Sequence, residues 1–214
     1  MKLFPLLLAV TLLPACSFST DTNRVSQTTN QTVDVSTPVN LTIKSEAGTV
    51  RIETWRQPRI SLQIRKHGHD QASIDAITVQ PQVSGHNVTL QTQYGGGANG
   101  EVDEILRVPA DTSVDIELPV GTVTAHGLSG NVKAGVQTGT IAVGMAELTG
   151  EQSVDLSTTV GTVALTVPKN ANATFTVNTQ VGQASNGAGN KMGNGSARVN
   201  VTATTGSASV EVAQ

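Results

Sequence analysis

Two histidines and an aspartate in one short segment are the strongest candidate for metal chemistry in this sequence. His67, His69 and Asp70 all lie within a four-residue stretch. Imidazole nitrogens and carboxylate oxygens are zinc ligands, but a zinc site needs three or four of them converging from fixed elements. His86 or His126 would have to complete the set, and nothing in the sequence brings them there. The alternative is a polar turn at the end of a strand.

An acidic segment that follows a run of glycines could bind calcium. Residues 99–104 read Asn-Gly-Glu-Val-Asp-Glu and offer alternating oxygens. They lack the full ligand series of an EF-hand and the glycine-aspartate nonapeptide pattern. The other interpretation is a solvated acidic loop, with a mobile glycine loop at residues 95–100. A second glycine tract, residues 187–195, lacks the Gly-Lys-Ser/Thr of a phosphate loop and is interpreted as a flexible insertion.

No constellation of residues identifies an enzymatic reaction. Polysaccharide hydrolases need two acids placed across the scissile bond. Between Asp155 and Glu211 the chain has no acidic residue. It also lacks a Gly-x-Ser-x-Gly elbow and a His-Glu-x-x-His motif. We therefore expect a binding or scaffolding protein without catalysis, cofactor or metal, and keep a polysaccharide-active enzyme as the alternative.

Positive charge is concentrated around the only tryptophan, Trp55. The basic residues are Arg51, Arg56, Arg59, Arg65 and Lys66. Such a patch could meet an anionic lipid or polysaccharide, or it could be an ordinary solvated strand face. Tryptophan more often caps a core than binds sugar, although an exposed indole beside Arg56 could do the latter. The formal net charge of −3 gives no basic footprint for nucleic acid, so no nucleic-acid partner is expected.

The only cysteine ends a segment typical of an exported protein. Lys2 supplies a positive charge, and residues 3–13 form an apolar stretch too short to span a membrane. The run Leu13-Pro14-Ala15-Cys16 resembles the lipobox of bacterial lipoproteins. That resemblance implies a signal peptide over residues 1–15, with a signal helix, and a lipid on Cys16 that anchors the chain to a membrane. Ser17 follows the cysteine, which by the same resemblance favours the outer membrane. A plain signal peptide with an incidental cysteine is the alternative.

Residues 16–40 and 41–214 differ in composition. Ser, Thr, Asn and Gln dominate the first segment, which predicts a flexible tether. The second segment alternates apolar and polar residues in short runs, such as residues 113–120, and this period of two predicts strands. Residues 71–77 could form a short helix or a loop. Because aromatic residues make up only 2% of the chain, the core must come from Val, Ile, Leu and Ala.

A glycine followed by one residue and an apolar residue recurs through the second segment. The motif stands at Gly48, Gly121, Gly130, Gly139 and Gly161, and degraded copies follow at Gly182 and Gly206. The motif returns after 18 residues between Gly121 and Gly139 and after 22 residues between Gly139 and Gly161. Repeats of about this length are typical of solenoids, in which each rung stacks on the one before it. We predict an all-β fold, a single-stranded β-solenoid in which glycines form corners. A β-sandwich is the alternative, because it too is built from evenly spaced short strands.

The ordered series of these motifs resembles a known family. Residues 48–55, the run of residues 108–114 and the later Gly-Thr-Val copies are similar to the bacterial putative-adhesin family with a DUF4097/DUF2807-type β-solenoid. That family usually has Asp or Asn after the glycine, whereas Thr122, Thr140 and Thr162 stand here, which makes calcium at the corners less expected. The resemblance implies a non-enzymatic protein of the cell envelope. An envelope protein or polysaccharide is the expected partner, and a role accessory to envelope stress sensing is a further possibility that the family implies.

Overall fold

The computed structural model describes residues 24–96 and 98–214, and strands account for nearly all of its regular structure. One short helix, α1, spans Gln71–Asp75 and decides between helix and loop there. Thirteen strands belong to one hydrogen-bonded sheet. They are β1 Val25–Asp34, β2 Asn40–Lys44, β3 Ala47–Trp55, β4 Arg59–Gly68, β5 Ile77–Ser84, β6 Asn87–Tyr94, β7 Gly100–Pro109, β8 Ser113–Leu128, β9 Val132–Met145, β10 Ser153–Val167, β11 Ala173–Asn186, β12 Lys191–Met192 and β13 Ala197–Val212.

Parallel strands in register build the body of the protein as a stack of levels. Along the stack the levels are β6 with β7, β2 with β3, then β8, β9, β10, β13 and β11. Corresponding positions lie opposite one another, so Gly121 pairs with Gly139, and Gly161 with both Gly139 and Gly206. Neighbouring strands in such a stack lie about 4.8 Å apart. The all-β solenoid is therefore confirmed, and the parallel register excludes an antiparallel sandwich.

Each long strand turns a corner at its glycine, where the buried positions change parity. In β8, Ile116 and Leu118 are buried at even positions, whereas Val123 and Ala125 are buried at odd ones. A regular strand keeps alternate residues on one face, so the shift requires an irregular residue between them. Gly121 is that residue, with a φ of 144° in the region that favours glycine.

The corner glycines form one row along the stack. A Cβ on Gly139 would overlap the carbonyl oxygen of Gly121. The same positive φ and close approach to a backbone carbonyl are shared by Gly48, Gly121, Gly161, Gly182 and Gly206. Gly130 is different, because its φ is not positive and it lies against the backbone oxygen of Thr112. It belongs to the loop side of the stack and not to the corner row.

The core is thin and aliphatic. Val, Ile, Leu and Ala supply nearly all of it, and Phe175 is the only aromatic residue that is buried among those the structure describes. The strand segments before and after the glycine corner enclose two sides of the core, and loops close the remaining side. Among these loops Ala146 N donates to Leu128 O at 2.8 Å and Asn172 N to Leu148 O at 2.7 Å. Leu128 and Leu148 are fully buried beneath these loops.

The levels do not follow one another in chain order at either end, contrary to the expectation that each rung stacks on the one before it. β13 lies between β10 and β11, so the last strand of the chain is an interior level. At the other end, β3 lies between β7 and β8. Each level except the first, β6 with β7, carries a glycine corner, so the corner itself does not fix the neighbour order.

The expected flexible tether over residues 16–40 is wrong for Val25–Asp34. This segment is β1, which pairs with β4 along its whole length in antiparallel register. Its Thr and Val residues favour strands, and Val33 is only 4% exposed, while the polar residues occupy an edge that water can reach. Residues 16–23 and the predicted signal helix lie outside the described residues.

Antiparallel strands cover the N-terminal end of the stack. β4 pairs with β7, β5 pairs with β6, and β1 adds an outermost strand. In the part of the chain that the structure describes, no helix is long and apolar enough to cross a membrane.

Candidate binding surface

A groove runs along the stack on the outer face that precedes the glycine corner. We call it the axial groove, and its volume is about 470 Å³. It crosses β2, β8, β9, β10 and β13, so it spans roughly 19 Å at about 4.8 Å a level. One wall is a row of positions in register, which are Lys44, Glu117, Gly135, Ser157 and Thr202. The other wall is formed by Pro119, Gln137, Thr159 and Thr204.

Gly135 is where the row of side chains is interrupted at the centre of this groove. It has no positive φ, and a Cβ there would meet only the Ser157 hydroxyl at 3.8 Å. Glycine is therefore not required by the backbone at this position, and its effect is to leave the groove open.

Hydroxyl and amide groups dominate the chemistry of the axial groove. Lys44 and Glu117 are its only charged residues, and they pair with each other at 3.5 Å at one end. Both side chains are more than half exposed, so the pair is weak. The hydroxyl and amide groups of this lining can donate hydrogen bonds to a ligand and accept them from it. The ligand therefore need not be charged.

A second, shallower groove on the same face brings two carboxylates together. Asp115 and Asp155 lie two levels apart on either side of Lys133, which is about 10 Å in such a stack. The Lys133 ammonium contacts Asp115 at 3.1 Å, and this carboxylate is the main reason that the pKa of Lys133 is raised. A carboxyl pair that hydrolyses a glycoside needs one member kept protonated by burial. Both of these side chains are open to solvent.

The structure separates the candidate zinc ligands. His67 Nε2 contacts Asp103 Oδ2 at 3.1 Å across β4 and β7. Asp70 caps α1 by accepting from the Ser73 N–H at 2.7 Å, and His69 is exposed beside it. Among residues 24–96 and 98–214, no three His, Cys, Asp or Glu side chains are arranged to hold a metal ion. The metal hypothesis for these residues is therefore not supported.

His86 and His126 also fail to join this segment. The His86 ring contacts the backbone oxygens of Ser36 and Pro38, each at 3.0 Å. His126 lies in β8 and faces Gly144 of the neighbouring level.

Residues 100–104 form the start of β7, so the acidic loop predicted over residues 99–104 is wrong. No three His, Cys, Asp or Glu side chains of the described residues are arranged to hold a metal ion, so the calcium interpretation is not supported. Glu101 pairs with Arg24 at 3.0 Å, and Asp103 is taken by His67. The Glu104 side chain turns into the core beside Val102. Residues alternate in a strand, so an acid flanked by buried apolar residues two positions away follows them inward. The period of two could have shown this in the sequence.

Glu104 is fully buried within a small polar cluster. Thr92 Oγ1 donates to Glu104 Oε1 at 2.7 Å, and Ser45 Oγ donates to Thr92 Oγ1 at 3.3 Å. Glu104 Oε2 has no hydrogen-bond partner among the described residues. Burial raises the pKa of this carboxyl to about 7, against an opposing effect of the hydrogen bonds from Thr92 and Ser45. Because water cannot reach it, Glu104 belongs to the core and not to a binding surface.

The basic residues around Trp55 do not form one patch. Arg51 pairs with Glu53 at 2.9 Å, and Arg59 pairs with Asp34 at 3.6 Å. Lys66 turns inward, where its ammonium donates to the backbone oxygens of Ile74 and Ile77 and where burial lowers its pKa. Arg56 and Arg65 form no ion pair among the described residues, and they lie apart, Arg56 in the turn after β3 and Arg65 within β4.

Trp55 is partly exposed and borders a third groove. Its indole N–H donates to the backbone oxygen of Arg59 at 2.8 Å, which fixes the ring against the turn after β3. Arg56 and Asp111 lie in the same groove, whose volume is about 420 Å³. The indole therefore has a structural role in this turn while one part of it remains open to solvent.

Comparison with known proteins shows a likeness in fold. No protein-family model matches the chain, and no curated protein matches it. The crystal structure of a "putative cell adhesion protein" from Clostridium sporogenes superimposes with a TM-score of 0.64 and 12% identity, covering 87% of this chain and all of the other. A "putative adhesin" from Bacteroides fragilis gives a TM-score of 0.33 at 10% identity, covering 87% of this chain and 97% of the other. This chain thus has the fold of the Clostridium sporogenes protein.

Proposed function

We propose that this protein is a lipid-anchored protein of the cell envelope that binds an uncharged polysaccharide chain in its axial groove. The groove carries the proposal, because it is long, straight and lined by hydroxyl and amide groups. The likeness in fold to a protein described as acting in cell adhesion supports a binding role. We infer no catalysis, because the exposed Asp115 and Asp155 offer no buried acid.

The geometry of the groove suits a linear polymer. Levels repeat at about 4.8 Å, so hydroxyl side chains recur at regular steps where the groove crosses β10 and β13, at Ser157, Thr159, Thr202 and Thr204. A ligand built from repeating hydroxyl-bearing units can use several of these contacts at once, and weak contacts then add up.

The test fills the groove at Gly135. Leucine at residue 135 fills the gap in this wall of the axial groove without backbone strain, and we expect it to lower polysaccharide binding at least tenfold. Cosedimentation of the full-length protein with an insoluble neutral polysaccharide such as cellulose, and binding to an array of neutral glycans, would measure this. Absence of binding by the wild-type protein to either, or equal binding by Gly135→Leu, would contradict the proposal.

Ala142→Leu is the matched control for this experiment. Ala142 lies in the same strand, β9, but beyond the glycine corner on the other outer face, and it is also partly exposed. We expect binding of the Ala142→Leu variant to equal that of the wild type. If it falls as far as that of Gly135→Leu, the loss reflects a general disturbance of β9 and the groove is not the site.

An envelope protein as the partner is the second candidate. Crosslinking in intact cells distinguishes the two, because recovery of one specific protein through residues of the axial groove would favour it over a glycan. Recovery of glycan at the same residues would support the proposal.

A further inference from the structure

The C-terminal end of the stack has an open sheet edge. β11 pairs with β13 on one side along its whole length. On its other side, β12 covers only Ala173 and Thr174, and the Phe175 N–H donates to Asn190 O at 2.9 Å. No described residue pairs with that outer edge across residues 176–185. Alternate backbone N–H and C=O groups along this stretch therefore point away from the molecule.

The open edge has none of the features that usually prevent strands from pairing. β11 contains no charged residue and no proline, and the nearest charges along the chain are Lys169 and Lys191. Val181, at its corner, is 64% exposed, which is the highest value among the large hydrophobic residues that the structure describes. Natural edge strands are normally protected by charges, prolines or bulges.

The opposite end of the stack is protected in these ways. β5 is an edge strand that contains Pro81. The outer strand β1 is bounded by the ion pairs Arg24–Glu101 and Asp34–Arg59, at 3.0 and 3.6 Å. β1 also has no charge and no proline between Val25 and Val33, so it differs from β11 in the ion pairs at its two ends, which β11 lacks among the described residues.

We propose that the open edge of β11 pairs with the same edge of a second copy of this chain. Two β11 edges in antiparallel register are related by a twofold axis, so each satisfies the backbone groups of the other and the assembly closes as a dimer. Neither copy buries a charge, and the two Val181 corners are covered together. Charge matching favours this occupant, because an uncharged edge is complementary to an equally uncharged one. The proposal is independent of the axial groove.

The first test changes the charge of the edge. Val181→Lys places an ammonium at the centre of the interface in both copies, and we expect the dissociation constant of the dimer to rise at least tenfold. Val120→Lys is the matched control, because Val120 occupies the same corner position on an interior level and is 54% exposed. Sedimentation of the full-length protein in detergent measures the dimer. A monomeric wild type, a dimeric Val181→Lys or a dissociated Val120→Lys would overturn the proposal.

The second test locates the twofold axis. Opposed residues in an antiparallel pair have Cα atoms about 4.5–5.5 Å apart, within the range that a disulfide spans. Single cysteines introduced in turn over residues 177–181 and 183–185, which leaves out the corner Gly182, should give a peak of oxidised dimer at one position or two neighbouring ones. Val160→Cys, at the same corner on an interior level, should give none. A flat profile, or equal crosslinking at Val160→Cys, would overturn the proposal.

Discussion

Single residues decide the path of this chain at the corners and the polarity of its core at one point. At Gly121 and its counterparts the strand turns a corner and the buried positions change parity. Only glycine fits there, because a Cβ would overlap the neighbouring backbone carbonyl. Glu104 brings a carboxyl into a core that is otherwise aliphatic. Gly121 interrupts the period of two, whereas Glu104 follows it, and the two residues act on stability in different ways.

Gly139→Ala should destabilise the protein, whereas Gly135→Ala should not. Alanine at residue 139 must adopt a φ of 145° and displace the Gly121 carbonyl, which we expect to cost at least about 2 kcal/mol. Residue 135 lies in the same strand with an ordinary φ and free space, so alanine there should change stability by about 0.5 kcal/mol or less. Urea unfolding of both variants measures the difference. Equal effects would show that the corner does not require glycine.

Glu104 should make the protein less stable as the pH rises from about 4.5 to about 7. The carboxyl has a pKa of 4.5 when unfolded and of about 7 when folded, so within this window the folded state holds a proton that the unfolded state has lost. Stability is therefore highest below the unfolded pKa and falls until the folded pKa is passed. At about 1.4 kcal/mol for each pH unit, the total loss is roughly 3 kcal/mol.

Glu104→Gln removes this titration and keeps the shape of the side chain. The difference in unfolding free energy between wild type and variant should change by roughly 3 kcal/mol across that window, in favour of the variant at high pH. Glu211→Gln, at an exposed position of β13, is the control and should show no such change. Parallel curves for wild type and Glu104→Gln would show that the Glu104 carboxyl ionises freely in the fold.

At the scale of elements, the position of a strand along the chain does not predict its position in the stack. β13 ends two residues before the C-terminus, yet it has a partner on each side. β11 lies earlier in the chain but forms the edge. Terminal segments of a chain usually unfold locally more easily than internal ones. Here we expect the opposite, with β13 locally more stable than β11.

Hydrogen exchange should show this inversion. At concentrations where the chain is monomeric, we expect amides of residues 199–210 in β13 to exchange as slowly as those of the interior strand β9. Amides of residues 177–185 in β11 should exchange faster, because half of them have no acceptor in the monomer. Exchange of β13 as fast as that of an unpaired terminus would contradict the strand order.

The sequence predicted strands, corners and core more completely than it predicted the arrangement of the levels. The Gly-Thr-Val motif requires a corner and an inward valine wherever it stands, so the solenoid follows from local chemistry. Because a glycine corner is common to six of the seven levels, it cannot encode which level is the neighbour. The polar composition of β1 is shared by tethers and by edge strands. The axial groove depends on the register of five strands, which no single segment contains.

At the scale of the whole molecule, the two ends of the stack differ in kind. The described chain begins at Arg24, beside the antiparallel strands, and the proposed lipid on Cys16 would hold that end near the membrane. Seven levels at about 4.8 Å place the edge of β11 roughly 29 Å further along the axis. An anchored molecule standing on this end would therefore present its uncharged edge outward.

Cys16→Ser should release the protein from the membrane. Loss of the thiol removes the site of acylation, and the described residues provide no spanning helix to replace it. We expect the variant in the soluble fraction of disrupted cells and no incorporation of labelled palmitate, whereas the wild type should fractionate with the outer membrane and incorporate it. Unchanged membrane fractionation of the variant, without an acyl label on the wild type, would contradict the lipid anchor.

The position of β13 between β10 and β11 also determines at which stage of synthesis the fold can be completed. In a chain made and exported from its N-terminus, as proposed above, β10 can pair with β9 at once, but β11 cannot occupy its final place before its partner β13 is delivered. At the other end of the stack, β3 likewise has no pairing partner until β7 and β8 have been made. The contacts that close the fold are distant in sequence, so folding should be slow and should follow delivery of the entire chain. For the exported protein proposed above, we expect the chain to cross the membrane unfolded and to assemble on the far side.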